Sequence, residues 1–560
     1  MRTLTTLAAA LLLSATAARA DGPGAEEPAA TPAQPATEAT PDAPAAPATG
    51  GMLRRPGRDQ QPAAQPVAGP DPRSPAQEPP KMSPGLRQVD LDKTGFRPDP
   101  DYSSQRYDAA AQHDVYGAKR AVRSVRPLLE LGYPLYAGGE FGTGHNLLGA
   151  KNLVRPQFLV YGDWRTAVAW NDIDVPDVNG DTARGLFATR LNLDLDLKLT
   201  ATERIHVLMR PLDKNGKFTR YQFEGVAADG EPEREAELNG RAVTAFFEGD
   251  LGQMAQGFSG HYNGVDLPVA AGVIPLLFQN GIWLDDAFTG LAFTIPARNS
   301  PALDISNMDF TFFAAFDKVS SPVLRGSVHE DHRADLYGTA WFIEMLRGYI
   351  EADYGYLDDH APPGADDLGY HSASLAFTRR YGGWLSNSVR VLGAFGQSAP
   401  ATGDRTANGV ALLLENSLIT SLPSTLVPYF NLFFSNGTPQ SLARDPGAGG
   451  FLKNTGLNFE TDGLTGFPKL DDSGADAYGG AVGIEYLFGL DQQLVFEIAG
   501  LQHTDGPLED SQDYAAGLRW QLPFLRQWIV RADAMAGRSG SGSTAARDLA
   551  GVRMELRVKF

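Results

Sequence analysis

The 560-residue chain carries 48 Lys and Arg against 67 Asp and Glu, a net charge of −19, and contains no cysteine. That excludes thiolate metal sites, disulfide scaffolds and c-type haem attachment. It also argues against non-specific nucleic-acid binding, which needs clustered cations under a basic balance.

The composition changes along the chain. Residues 1–20 place Arg2 before an apolar run from Leu7 to Leu13 and close on Ala18-Arg19-Ala20. This reads as a secretory signal peptide with cleavage after Ala20, because the run is too short for a retained membrane helix. Residues 21–85 hold 16 of the 39 prolines and no Phe, Trp or Tyr. Such a segment cannot bury enough apolar surface to offset its ordering entropy, so it is expected to be a disordered periplasmic tether. Residues 86–130 are transitional, with a possible short helix between Arg106 and Arg126.

From about residue 131 the texture is that of alternating strands. In Leu191–Leu199 five leucines share one parity, while Asn192, Asp194, Asp196 and Lys198 share the other. Successive strand side chains point to opposite faces, whereas a helix would scatter those leucines around its axis. Val552, Met554, Leu556, Val558 and Phe560 oppose Arg553, Glu555, Arg557 and Lys559 in the same way.

Alternation alone also suits a soluble sandwich, so the connections decide. Tight ones recur at Ala201–Glu203, Leu346–Gly348, Gly382–Leu385, Ser421–Ser424, Gly489–Gln492 and Pro523–Gln527. Between them lie longer polar stretches, as at Asn171–Gly185, Leu357–Gly369, Ser435–Ala475 and Arg538–Arg547. Short turns at one end and long loops at the other predict an all-β, transmembrane antiparallel β-barrel. Residues 131–560 accommodate eighteen strands, the first at 155–171 and the last at 549–560. Sixteen is the alternative, because the stretch 213–276 is irregular and Phe218–Phe223 fits either a strand or a loop arm.

The strand ending in Phe560 resembles the terminal signature of bacterial outer-membrane proteins, whose final aromatic is read by the barrel-assembly machinery. Val273–Phe293 resembles a strand–loop–strand of carbohydrate porins and alginate-export-type barrels, through Asp285, Asp286, Phe288 and Gly290. Ile274 stands where that motif carries Arg or Lys before the proline. The resemblance implies an outer-membrane porin surrounded by lipid and lipopolysaccharide, with a small polar solute as its partner. It also implies no cofactor and no catalysis, and leaves a homo-oligomer possible.

If the apolar face meets lipid, Arg380, Arg390, Arg519, Arg531, Arg553 and Arg557 face the lumen, as do Asp533 and Glu555. These guanidinium groups could form a track for anionic or hydroxyl-rich solutes, or the interleaved charges could simply neutralise one another. The loop Ser435–Ala475 could fold inward as a constriction. Its Asp471 and Asp472, with Asp476 just beyond, join Asp172, Asp174, Asp177, Asp358, Asp359, Asp366 and Asp367 in an expected negative outer rim.

His329-Glu-Asp-His332 lacks the i, i+4 histidine pair of a zinc helix, and Ser259 with His261 misses the nucleophile-elbow spacing. Gly144–Lys151 has one residue too many for a phosphate loop. Two other functions stay open. One is a barrel sleeving a periplasmic partner such as a multi-haem cytochrome, and the other is a barrel hydrolase using Ser259 and His261.

Overall fold

The computed structural model describes residues 126–133 and 144–560, except 174, 177–179, 215–216, 226–233, 326–332, 362, 402, 422–424, 461–462, 489–491, 506–508, 525–526 and 543–545. The expected signal peptide, the tether and most of the transitional segment lie outside the described residues. So do His329 to His332, Asp174 and Asp177.

Eighteen strands form the wall. They are β1 (Gln157–Asp172), β2 (Ala183–Lys198), β3 (Arg204–Met209), β4 (Ala242–Asp250), β5 (Pro268–Phe278) and β6 (Leu284–Ser300). There follow β7 (Ile305–Asp317), β8 (Arg333–Met345), β9 (Gly348–His360), β10 (Tyr370–Tyr381), β11 (Leu385–Phe395) and β12 (Asn408–Leu418). The last six are β13 (Leu426–Thr438), β14 (Ala477–Phe488), β15 (Gln492–His503), β16 (Gln512–Pro523), β17 (Trp528–Ser541) and β18 (Arg547–Lys559).

Each strand pairs antiparallel with its sequence neighbour, and β18 returns to β1 from Asp163↔Lys559 to Asp172↔Ala550. Phe560 extends this seam, its N–H donating to the Gly162 carbonyl and its carbonyl accepting from the Gly162 N–H. The sheet therefore closes on itself, which removes both edges and pairs the backbone throughout. The irregular stretch resolves as a composite. The short β3 pairs with the lower half of β2, and Lys217–Glu224 continues along its upper half, from Thr189↔Thr219 to Gly185↔Glu224.

The inside–outside partition is the reverse of a soluble barrel. Asn192, Asp194 and Asp196 are buried toward the lumen, and the intervening leucines of β2 point outward. Trp164, Leu375, Phe496, Ile498 and Val482 stand exposed on the outer wall, Val482 by 61%. Exposed apolar surface on this scale marks a membrane or an interface rather than water.

The connections sort by end as expected. Leu346 and Arg347 make a two-residue turn, both at positive φ, which matches the right-handed twist of the flanking strands. It lies at the same end as the 382–384 connection and the free ends of β1 and β18. Two connections depart from the pattern. At the short-turn end, β4 leads into a helix, α1 (Leu251–Ser259), which periodicity had not identified. At the other end, the brief Gln279–Trp283 connection tucks inward.

Candidate functional site

Three segments enter the lumen from the long-loop end. The first is Gln279–Trp283, where Gln279, Asn280 and Gly281 all have left-handed backbone. That reversal drives Trp283 fully inside, against Phe278 and Phe313. The second is the stretch after β7, where the Ser320 N–H donates to Asp286 Oδ2 at 2.7 Å and Ser321 Oγ meets the Tyr370 hydroxyl at 2.9 Å.

The third, 439–476, crosses the lumen. Its Ala443–Arg444 runs parallel to Leu284–Asp285 of β6. Lys453 Nζ contacts Asp285 Oδ2 at 2.7 Å, and the Arg444 guanidinium donates to the carbonyls of Gly281, Ala448 and Gly449. Further along, the N–H groups of Leu457 and Asn458 donate to the Glu497 carboxylate of β15 at 2.7 and 2.8 Å. Glu460 then reaches both Arg519 and Arg531. Phe467 lies under the Arg553 guanidinium, 5.2 Å from it. Asn171 of β1 donates to the Thr465 carbonyl at 2.8 Å. The segment thus spans from β6 to β1, with both walls holding it.

Its apolar residues make a core inside the barrel. Leu442, Phe451, Leu452, Phe459 and Leu470 pack with lumen-facing Leu336, Leu357, Leu392 and Leu413. The strand β12 therefore reads as a continuous apolar run, since its inner face meets this packing and its outer face meets the surroundings. Glu415, which breaks that run, faces the lumen and takes Arg390 Nη1 at 2.6 Å.

The six expected arginines sit in different settings. Arg519, Arg531 and Arg553 converge on Asp533 of β17, at 2.8, 2.9 and 2.7 Å. A buried carboxylate among three guanidinium groups is the kind of compensated cluster that low dielectric demands. Arg557 pairs with Asp163 across the closing seam at 3.0 Å. Arg390 also donates to Gln279 Oε1 at 2.9 Å, which fixes the inward turn to β11. Arg380 is exposed near the short-turn end, with no ion pair among the described residues.

The acidic loop residues hold local hydrogen bonds. Asp471 accepts from Ser473, Asp472 is buried and takes the Gly450 N–H and Lys469, and Asp476 accepts the Gly437 N–H. Asp359 and Asp366 likewise accept backbone N–H groups of Leu368 and Ala401. These carboxylates order their loops through local donors; Asp472 and Asp359 are buried in doing so, whereas Asp366 stays exposed. Ser259 Oγ hydrogen-bonds the backbone of His261, not its ring, so no nucleophile–base pair exists there. Among the described residues no cluster of three His, Asp or Glu is arranged to hold a metal.

Sequence reading missed several wall charges. Arg165 pairs with Glu555 at 2.7 Å, Arg204 with Glu248 at 2.9 Å, and His206 with Asp194 at 3.2 Å. Alternation in β1 does carry a signal for Arg165, which shares a face with Asp163 and Ala167. Arg444, Lys453 and Glu460 lie in an aperiodic segment where no such signal exists.

No family model matches the chain, and no curated protein does either. Solved structures resemble it in shape. One is a BenF-like porin from Pseudomonas fluorescens Pf-5, at 12% identity and TM-score 0.47, over 72% of this chain and 99% of that one. Two others are from Pseudomonas aeruginosa, OccK9 (OpdG) and OccK1 (OpdK), both at 13% identity, with TM-scores of 0.45 and 0.44. Each match covers 72% of this chain and 98% of the other. These are likenesses of barrel shape, and nothing about solutes follows from them.

Proposed function

We propose that the protein is a bacterial outer-membrane porin passing small polar or anionic solutes by diffusion, without catalysis. The observation that carries this reading is the combination of a closed, edge-free sheet with apolar residues outside and charged residues inside. Lipid offers no partners to unpaired backbone groups, so closure suits a membrane, and the charged lumen suits a wet path. On this reading the inward segment 439–476 narrows that path, and the ion pairs of Glu460 with Arg519 and Arg531 support it by tying the segment to the wall. Lumen charge and width together set selectivity.

On this reading residues 1–20 direct export, 21–85 form a periplasmic tether, and the strand ending at Phe560 is what the assembly machinery engages. Lipopolysaccharide surrounds the long-loop end. The sleeve reading fares worse, because a segment anchored to both β6 and β1 occupies the lumen that a partner protein would need. The hydrolase reading lacks a Ser259–His261 contact.

Planar-bilayer recording tests the proposal. Purified protein is expected to give stable conductance steps, blocked by an anionic oligomer more than by a neutral sugar. Bilayers that stay sealed across preparations would refute it.

A further inference from the structure

The helix α1 is capped at both ends. Asp250 accepts the Gln253 N–H at 3.0 Å, and Gly260 closes the helix in left-handed conformation. Its two buried residues are glycines. A Cβ at Gly257 would lie 2.4 Å from the Leu148 carbonyl oxygen, and one at Gly252 would lie 1.8 Å from that of Val265. The protein therefore holds α1 by its glycine side. Leu251, Met254, Ala255 and Phe258 follow the i, i+3, i+4, i+7 spacing and form the opposite stripe. Phe258 is 66% exposed and Tyr262, just beyond the helix, 71%.

The charge pattern is as unusual as the exposure. In a chain with 48 basic and 67 acidic residues, the window 251–265 contains no Asp, Glu, Lys or Arg. The stripe also continues the outer wall. Ile205 is exposed on the outside and pairs with Phe247, and alternation carries that face on to Leu251. Leu251 in turn hydrogen-bonds the Leu267 carbonyl on the same side. Two cations, Lys151 and Arg155, are exposed on the adjoining segment whose Gly149 abuts Gly257.

We propose that α1 is a foot seated on the lipid leaflet at the short-turn end. Leu251, Met254 and Phe258 enter the acyl boundary, with Tyr262 at headgroup level and Lys151 and Arg155 beside anionic headgroups. An amphipathic helix continuous with an apolar belt lies in the plane of the interface with its apolar face down, and the cations that such helices carry on their own polar face are supplied here by Lys151 and Arg155. The foot would fix how deep the barrel sits and shield the junction of the short β3 and β4. The inference rests on the membrane reading of the barrel.

The absence of cysteine makes the test clean. Single variants Phe258→Cys, Tyr262→Cys, Leu375→Cys and Asp404→Cys each carry one nitroxide, and the proteins are reconstituted in phospholipid vesicles containing phosphatidylglycerol. Collision with oxygen is compared with collision with a water-soluble nickel chelate. Leu375, on the outer wall, is expected to favour oxygen, and Asp404, on an exposed loop, to favour nickel. The proposal expects Phe258 to favour oxygen, as Leu375 does, with Tyr262 between the two. Phe258 favouring nickel while Leu375 favours oxygen overturns the foot and leaves the barrel reading intact. A Phe258 label shielded from both reagents also overturns it, since the chain's own N-terminal segment would then cover the helix. Nickel contact at Leu375 overturns both readings.

Discussion

Lys453 Nζ lies 2.7 Å from Asp285 Oδ2, with both side chains about nine-tenths buried, so a cation from the inserted segment is locked to a strand across the lumen. Removing one member of a buried pair strands the other charge, at a cost of roughly 3–5 kcal/mol. Lys453→Met should therefore loosen the segment while leaving the strand ladder in place. Single-channel recording is expected to show larger, noisier steps with an unchanged thermal midpoint for the barrel. A trace like that of the parent would show that the pair does not hold the constriction.

Glu460 predicts an acid response. Burial alone would raise its carboxyl, but Arg519 and Arg531 more than offset that and hold it below the ordinary carboxylate range. A depressed folded value contributes stability above the unfolded value, near 4.3, and loses it as pH falls through the lower folded value. Conductance should stay level from neutral pH down to about 4.3 and change below that. In Glu460→Gln this acid step is expected to vanish. An acid step of equal size in the variant would assign it to another group.

Arg380 and Asp533 separate selectivity from stability. Arg380→Glu alters an exposed lumen charge, and such charges contribute about 0–1 kcal/mol. Reversal potentials should move toward cation preference with no change in unfolding. Asp533→Asn instead leaves Arg519, Arg531 and Arg553 facing one another. It should lower heat resistance and move reversal potentials toward anions. Identical shifts in both variants would mean that lumen charge does not set selectivity.

Gly456 tests how tightly the segment is seated. A Cβ there would lie 2.5 Å from Glu497 Oε2 and 2.6 Å from the Ala481 Cβ. Gly456→Val should push Leu457 and Asn458 away from the Glu497 carboxylate. Limited proteolysis, read by mass spectrometry, is expected to find new cleavage within 439–476 and none in the strands. Parent-like resistance would show that the wall yields instead.

The barrel was legible because its wall obeys a period of two over long runs, as in Leu191–Leu199 and Val552–Phe560. The first and last expected spans, 155–171 and 549–560, each coincide with a strand, and eighteen is the number of wall strands. The interior was much less legible. Arg519, Arg531, Arg553 and Asp533 could be placed on the lumen face, but their convergence depends on strand register, which alternation does not give. Lys453 and Glu460 lie where the backbone follows packing rather than a ladder, and Arg444 in a two-residue ladder too short to show a period. Asp472 looks solvated in sequence, yet it is buried because it binds the Gly450 N–H and Lys469. The helix α1 does carry a stripe at helical spacing, Leu251, Met254, Ala255 and Phe258, but it spans only nine residues, contains two glycines and packs by those glycines, so its pattern is weak beside the strands.

The seam between β1 and β18 also dictates an order of events during biogenesis. Arg165 and Glu555 are joined although 390 residues separate them in sequence. The ring cannot shut until the last strand has been delivered. The segment 439–476 bonds to Asn171 of β1 and to Arg519 and Arg531 on the late strands, so its full set of bonds exists only once the ring is shut. Closure and constriction are thus coupled: an open sheet can hold one end of the segment, and only the shut ring holds both.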